Sequence, residues 1–296
     1  NLLVIIILAG LALVVISFIG GTVGAMIFGG EPSGIFAVHT PAPELPAEHP
    51  FSGIPITNTM ITAWISILTL IGLFFVGTRK MRIIPSGLQN VVEFIFDIAS
   101  NFIEDAAGKE KARWFFPVVV TIFLFVVTNA WFSLVPGMET IHLNGAPLFR
   151  NANTDINVPL ALACVSFVAV EYWGFKAKGM AYIKTFLNFG PLGAALVKLF
   201  TGKIKAGLSG LFNGFVAVFV GILEILSHLI RMLSFTFRLF GNMTAGSILT
   251  LIIIFIVPWV LPSIFYGLEA FFGFVQAMIF GGLTLGFACA AVLAEE

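Results

Sequence analysis

Long apolar stretches separated by short polar segments dominate this chain. A helix needs about 20 mostly apolar residues to cross the hydrocarbon core of a bilayer. Pro258 and Pro262 interrupt the last stretch, because proline lacks a backbone donor and clashes with the preceding helical turn. The pattern predicts about six membrane helices and lacks the roughly ten-residue alternation of barrel strands. The apolar stretches cover 2–28, 56–77, 115–135, 156–174, 207–256 and 263–294.

The composition supports the same class. Of the 296 residues, 59% are apolar and only 10% are charged, whereas soluble domains average about 25% charged residues. The mean hydropathy of +1.05 agrees. These values predict an all-α, polytopic integral membrane protein, and they exclude a soluble nucleic-acid binder. Cys164 and Cys289 both lie in apolar runs and are interpreted as small core residues.

The basic residues alternate between the connecting segments. Segments 78–114 and 175–206 are rich in Lys and Arg, whereas 29–55 has none and 136–155 has only Arg150. Cytoplasmic loops of membrane proteins carry the excess of basic residues. This rule predicts that 78–114 and 175–206 are cytoplasmic and that the other two segments lie outside.

Three regions follow from this pattern. Residues 1–55 are interpreted as an extra N-terminal membrane helix with a Pro-rich outer linker, and residues 1–28 as a true span rather than a retained signal-like segment. Residues 56–206 would hold three membrane helices and an amphipathic helix, 86–107, on the inner membrane surface. Residues 207–296 would form a strongly tilted hairpin. A helix over 207–256 would be roughly 75 Å long against a core of about 30 Å, so it must incline steeply or break, for instance near Gly241.

Two basic residues lie inside the predicted spans, on one polar stripe. At 100° per residue, the stripe falls within an arc of about 120°. An arginine near the bilayer centre costs roughly 2.5–3.5 kcal/mol on insertion scales, so it must face protein or water. Interhelical hydrogen bonding alone would not require an acid, an imidazole and two guanidinium groups. The stripe therefore predicts an ion or proton path; its members are Glu224, His228, Arg231, Ser234, Arg238 and Asn242.

Acidic residues occur on both sides of the central arginine. Glu224 and His228 lie roughly 21 and 15 Å closer to the cytoplasmic side than Arg238, at about 1.5 Å per residue. The last predicted helix begins on the outer side, where Glu269 lies, and Gln276 follows deeper in the membrane. Two offset half-paths separated by a fixed positive charge would carry protons without short-circuiting a gradient. Arginine suits that barrier because it stays charged at ordinary pH.

These residues also carry a family resemblance over about 56–294. The run SFTFRLFGNMTAG at 234–246 resembles the signature of subunit a of the F-type ATP synthases, with Glu224 and Gln276 at matching positions. The segments TNAWFSLVPG at 128–137, TDINV at 154–158 and GFKAKGMAYIKTF at 174–186 are similar to other recurring segments of that family.

The resemblance implies a role for each site residue. Protons would reach a rotating c-subunit ring through an outer half-channel and leave by an inner one, with the last two helices as a hairpin against the ring. Arg238 would be the essential arginine that keeps the ring carboxylate ionised. The other implied members are Glu269, Gln276, Asn242 and Ser247 for the outer half-channel, Glu224 and His228 for the inner one, and Arg231 and Ser234 as accessory polar residues.

The chain departs from the family pattern at two positions. Ser247 stands nine residues after the arginine, where the family often has Glu or His. Glu269 stands seven residues before the glutamine, where His is frequent. Because the family tolerates exchange between these sites, Glu269 is expected to carry the outer protonatable function alone.

The resemblance also implies partners and excludes some chemistry. The partners would be the c-subunit ring, the peripheral-stalk b subunits, the whole F-type ATP synthase and the lipid bilayer, in a bacterial plasma membrane rather than an organelle membrane. The sequence has no Walker motif, no GxGxxG after a strand and no metal-ligand cluster. We therefore expect a subunit that conducts H⁺ without being an enzyme by itself and without a cofactor, a metal or nucleic acid. The alternative is a proton-coupled secondary transporter, which would predict inverted repeats and a midplane cavity.

Overall fold

Within the residues that the structure describes, the chain folds into nine α-helices. The structure is a computed structural model that describes residues 2–28, 46–51, 55–135, 138, 141–143, 146–186, 190–191, 193–195 and 204–293. The predicted linker over 29–55 therefore lies largely outside the described residues. The helices are α1 (Leu2–Gly20), α2 (Thr22–Phe28), α3 (Asn58–Thr78), α4 (Leu88–Ala107), α5 (Lys109–Phe132), α6 (Asn157–Lys178), α7 (Met180–Phe186), α8 (Ile204–Ile256) and α9 (Leu261–Leu293).

Short elements complete the connection between α5 and α6. Strand β1 (His142–Leu143) pairs antiparallel with β2 (Ala146–Pro147), and a 3₁₀ turn follows at Ala152–Thr154. Asn151 caps that turn, because its side chain accepts a hydrogen bond from the backbone N–H of Asn153.

Five of the helices are long and apolar enough to cross a membrane: α3, α5, α6, α8 and α9. The pair α1–α2 would count as a sixth span if the two helices are taken together, although they bend by 58° at the break between them. The prediction of an all-α polytopic membrane protein with about six membrane helices, the last two long, is therefore confirmed for the described residues. The apolar run 2–28 was predicted as one helix, so the break at Gly21 was not expected.

The helix α8 runs for 53 residues without interruption. The predicted alternative of a break near Gly241 is therefore wrong. A single glycine costs a helix only about 1 kcal/mol relative to alanine, and the surrounding residues favour helix well enough to continue it. At about 1.5 Å per residue α8 is roughly 80 Å long, far more than a bilayer core. A steep inclination is the alternative that remains, and it stays a prediction.

Special backbone conformations end several helices. Gly108 has a φ of +75° between α4 and α5, and Gly179 has a φ of +58° between α6 and α7; this left-handed region is open to glycine without strain. The turn between α8 and α9 instead places Val260 at a φ of +62°, which is unfavourable for a β-branched residue. Pro258 and Pro262 flank it, so this turn separates the two long helices as predicted.

The first of two compact units contains Asn1–Gln89, Phe123–Val158 and Arg238–Ile279. Buried polar contacts connect its segments. The hydroxyl of Thr59 donates to a carboxylate oxygen of Asp155 at 2.8 Å, and the hydroxyl of Ser66 donates to the amide oxygen of Asn129 at 2.9 Å. Each pair satisfies groups that would be costly to leave unpaired away from water.

The N-terminal helices belong to this first unit. The hydroxyl of Ser17, which is fully buried, accepts a hydrogen bond from the backbone N–H of Trp259 at 3.1 Å. Gly21 lies so close to the turn after α8 that a Cβ there would come within 3.3 Å of the Ile256 carbonyl oxygen. The described part of the N-terminal run therefore packs on the turn between α8 and α9.

The second unit contains Asn90–Ile122, Pro159–Phe237 and Phe280–Glu296. The rings of Phe115 and Trp173 pack with centroids 4.8 Å apart, and Ser166 and Thr284 share a hydrogen bond of 2.8 Å. The division into 1–55, 56–206 and 207–296 and the inner-surface position of α4 stay predictions.

Candidate functional site

Arg238 lies on an exposed face of α8. Asn242, Ala245 and Leu249 follow it at helical spacing and are exposed as well. Among the described residues, no carboxylate lies within 4 Å of the Arg238 guanidinium and none accepts a hydrogen bond from it. Gly241, one turn along, would meet nothing within 4 Å if it carried a Cβ. This face of the first unit thus presents a positive charge beside small side chains.

A cavity of about 270 Å³ opens beside this face, between α8 and α9. Its polar lining comes from Asn242, Thr250, Glu269 and Gln276, and its apolar lining includes Phe265 and Phe272. The volume is sufficient for several water molecules, and the polar groups supply partners for them. The structure therefore brings together three of the four residues assigned to the outer half-channel around one space.

Both carboxylate oxygens of Glu269 accept hydrogen bonds from hydroxyl groups on α8. Thr250 donates to Oε2 at 3.0 Å, and Ser247 donates to Oε1 at 3.3 Å. The fourth outer residue, Ser247, therefore touches Glu269 directly although it does not line the cavity. The two positions at which the chain departs from the family pattern face one another across a single hydrogen bond.

Thr250 was missed by the sequence reasoning. It lies one helical turn after Ser247, so helical periodicity was the signal that could have found it. At 100° per residue it falls at about +80° from Glu224, outside the polar stripe's arc of about 120°.

A second group of ionisable side chains lies in the other unit. The imidazole Nδ1 of His228 is 2.6 Å from Oε1 of Glu171, and its Nε2 is 3.4 Å from Oε1 of Glu224. A small cavity of about 20 Å³ adjoins these residues, with Glu171, His228 and Arg231 in its lining. The two residues assigned to the inner half-channel are thus in contact, with Glu171 as a third member that the sequence analysis did not name.

Glu171 lies in α6, inside the apolar run 156–174. An ionisable residue within a membrane span is a functional candidate by default, and that signal was present. Tyr182 of α7 carries no such signal. Its phenol is buried next to Glu171, and its pKa is raised by that burial and, to a smaller extent, by the charge of Glu171 and a hydrogen bond to it.

The accessory polar residues are placed differently from one another. The Arg231 guanidinium is half-buried and stacks on the ring of Phe287 at 3.7 Å from the ring centroid. This contact stabilises the cation inside the second unit. Ser234 is exposed. Among the described residues, no three His, Cys, Asp or Glu side chains are grouped so as to hold a metal ion.

Comparison with known proteins gives consistent similarities over most of the chain. Residues 60–288 match the sequence model of the family described as ATP synthase A chain. The chain is 32% identical over 235 residues to ATP synthase subunit a of Gloeobacter violaceus, which covers 79% of this chain and 83% of that protein. It is 30% identical over 242 residues to the subunit a of Helicobacter pylori strain P12, covering 81% and 92% of the two chains, and equally to that of Helicobacter acinonychis.

Proposed function

This chain belongs to the ATP synthase A chain family and is a multi-pass membrane subunit of the ATP synthase complex, and from that premise we propose how it conducts protons. Two half-channels lead to and from a rotating c-subunit ring, and Arg238 separates them. The long helices α8 and α9 incline in the membrane and form the surface against the ring. The peripheral-stalk b subunits hold the chain as part of the stator.

The exposure of Arg238 is the observation that carries this proposal. A guanidinium on the surface of a membrane helix is costly against lipid and becomes favourable against an anionic partner. Arg231, by contrast, is stabilised within the chain by Phe287. No described carboxylate of this chain lies within 4 Å of Arg238, and we assign its partner to another chain: a carboxylate on a neighbouring membrane helix has the charge and hydrogen-bonding geometry that the guanidinium requires.

The cavity lined by Asn242, Glu269 and Gln276 is the outer half-channel in this proposal. Water in the cavity would deliver a proton to the Glu269 carboxylate, and the amides would orient that water. Ser247 and Thr250 hold the two carboxylate oxygens of Glu269. Glu269 is thus the outer proton-exchanging group of this chain.

Glu224 and His228 form the inner half-channel, with Arg231 and Ser234 as accessory polar groups. Arg238 keeps a passing ring carboxylate ionised, because a guanidinium stays charged at ordinary pH and favours the anionic form of its partner. A proton that moves through 100 mV yields about 2.3 kcal/mol, so a leak past this point would waste the driving force. The similarity to bacterial relatives supports a bacterial plasma membrane as the location.

The test is ATP-driven acidification of membrane vesicles that contain the whole ATP synthase. Arg238→Ala should abolish pumping while the complex still assembles, because the ring carboxylate loses its counter-charge. Lys80→Ala removes an exposed positive charge outside the membrane spans and serves as the control with unchanged pumping. Normal pumping by an assembled Arg238→Ala complex would refute the proposed function.

A further inference from the structure

The three-residue contact of Glu171, His228 and Glu224 contains more ionisable groups than the proposed inner half-channel uses. Glu171 projects from α6, and the other two project from α8 one turn apart. The imidazole lies between two carboxylates, at 2.6 Å from one and 3.4 Å from the other. The arrangement belongs wholly to the second unit and does not involve Arg238.

Two carboxylates around one imidazole impose a specific proton inventory. A neutral imidazole has one N–H donor and one acceptor nitrogen, whereas an imidazolium has two donors. The hydrogen bond to Glu171 needs one proton between Nδ1 and Oε1, and a second proton on Nε2 or on Glu224 makes a transfer across the 3.4 Å contact possible. The two placements of the second proton differ by one transfer over that contact.

One passage moves one proton from Glu224 to Glu171 and leaves His228 neutral in its other tautomer. A protonated Glu224 gives its proton to Nε2 of His228, which forms an imidazolium. The Nδ1–H then gives its proton to the Glu171 carboxylate at 2.6 Å, and the imidazole is neutral again in the other tautomer. Proton exchange with water in the adjoining space returns the ring to its first tautomer: Nδ1 gains a proton and Nε2 releases one, as expected for a histidine proton shuttle.

The surroundings favour such a relay. The side-chain exposures of His228, Glu171 and Glu224 are 11%, 25% and 43%, so the imidazole is the most buried of the three and each carboxylate is nearer to solvent. The charged and titratable groups that face the cluster within the described residues are Arg231 of α8 and Tyr182 of α7. The adjoining space of about 20 Å³ is large enough for one water molecule.

Aromatic side chains limit other access to the imidazole. The rings of Phe167 and Phe186 meet His228 edge-on, with centroids 6.3 and 5.1 Å away. Their packing restricts the ring orientation, and the polar groups at the imidazole within the described residues include the two carboxylates and Arg231. A fixed ring between two acceptors is the geometry that a directional proton transfer needs.

We infer that Glu171 is a further proton-carrying residue, connected through His228 to Glu224, so that the inner half-channel of this chain is a three-group relay. This inference rests on the proposed function and deepens it. The competing explanation is a purely structural ion pair that attaches α6 to α8. A structural pair would need the hydrogen bond of Glu171 but not its ability to gain and lose a proton.

The substitution Glu171→Gln separates these explanations, because glutamine keeps the size and a hydrogen-bond acceptor but does not titrate. The measurement is passive proton conductance of vesicles that contain the whole ATP synthase, as a function of the pH on the cytoplasmic side. The relay predicts a conductance at least about tenfold lower in Glu171→Gln, with recovery in Glu171→Asp. The exposed neighbour Tyr172→Phe is the matched control on the same helix.

The outcomes are distinguishable. If wild-type vesicles conduct no protons, the proposed function itself fails. If the wild type conducts and Glu171→Gln has the same conductance and the same pH profile, only the relay is refuted. If Glu171→Gln does not assemble, His228→Gln gives the same test: the relay predicts an equal loss of conductance and a changed pH profile, and a wild-type profile overturns it.

When both single variants assemble, the double variant should lose no more proton conductance than either single variant, as for steps in series.

Discussion

At the scale of single residues, Glu269 shows how the chain surrounds a carboxylate inside a membrane helix. Two hydroxyl groups of α8 donate to its two oxygens, and a cavity with room for several water molecules adjoins it. The hydroxyl groups stabilise the anion without supplying a fixed positive charge, so the carboxylate can still accept a proton. This distinguishes Glu269 from an acid that forms a permanent salt bridge.

Replacement of Glu269 tests its role directly. Glu269→Gln should lower the rate of ATP synthesis at least about tenfold, because the amide cannot exchange a proton. The loss should be greatest at high external pH, where proton supply is limiting. Ile264→Val, an exposed position on the same helix, is the control. An unchanged rate in Glu269→Gln, measured in energised vesicles, would remove Glu269 from the path.

The contact between Ser247 and Glu269 predicts that the carboxylate can be moved from position 269 of α9 to position 247 of α8 and keep its function. In the double variant Ser247→Glu with Glu269→Ser, the acid moves to α8 and the hydroxyl to α9, across a pair now 3.3 Å apart. ATP synthesis should recover at least partly relative to Glu269→Ser alone. A double variant as inactive as Glu269→Ser would show that the position of the carboxylate, and not only its presence, is required.

Tyr182 gives a pH-dependent contribution to stability. Its pKa in the folded chain is raised, mainly by burial, so above about pH 10 the unfolded chain loses the phenolic proton first. The contribution of this tyrosine is therefore complete below about pH 10 and is lost as the pH rises further. Tyr182→Phe should have a lower melting temperature than the wild type near neutral pH, and the difference should narrow at alkaline pH. A constant difference between about pH 8 and 11 would contradict this.

Charge and helical spacing were sufficient to select candidate residues, and the roles given to them stay predictions. Helical spacing alone placed both arginines on one stripe and only the family resemblance distinguished them; in the structure Arg231 stacks on Phe287 and Arg238 is exposed. This difference depends on which aromatic residue packs from another helix, and spacing along one helix carries no such information. The same reason explains why Thr250 and Tyr182 were not found.

At the scale of elements, close approach between helices depends on glycine at defined positions. A Cβ on Gly273 of α9 would lie 2.6 Å from the Cβ of Ala130 on α5, which is far inside van der Waals contact. Gly267, on the same helix, would meet nothing within 4 Å. The first contact therefore requires glycine for packing, whereas the second position tolerates a side chain.

Gly273→Ala should destabilise the protein by about 1–3 kcal/mol, the range for an overpacked core. Gly267→Ala is the matched control and should leave the free energy of unfolding unchanged or raise it by up to about 1 kcal/mol. Adding Ala130→Gly to Gly273→Ala should restore part of the loss, because it removes the opposing methyl group. Thermal unfolding in detergent measures all three, and equal melting temperatures for Gly273→Ala and Gly267→Ala would contradict the packing.

Element boundaries were predictable to the extent that local chemistry sets them. The prolines at 258 and 262 predicted the turn between α8 and α9, and the structure has it between Ile256 and Leu261. Gly241 suggested a break that does not occur, because one glycine without a packing partner only weakens a helix. The bend between α1 and α2 depends on contacts of Ser17 and Gly21 with a turn more than 200 residues away, which a local pattern does not contain.

At the scale of the whole molecule, the chain is a component that is completed by partners. Its described residues include five helices long and apolar enough to cross a membrane, or six with the bent pair α1–α2, and Arg238 is exposed on one of them; the chain also belongs to a known family. Sequence reasoning reached the class and the family because apolar runs and the RLFGN segment are local signals. Sequence reasoning could not show which face of α8 is exposed, since exposure follows from the packing of all the other helices.

The most direct test of the central claim compares passive proton flux with coupled transport in vesicles that contain the assembled complex. If Arg238 is the electrostatic barrier between two separate half-channels, Arg238→Ala should lose ATP-driven pumping while it retains or increases passive proton flux. In that variant, a protonated ring carboxylate could pass from one half-channel to the other without a rotation. Coupled pumping and passive flux that both equal the wild type would contradict the account.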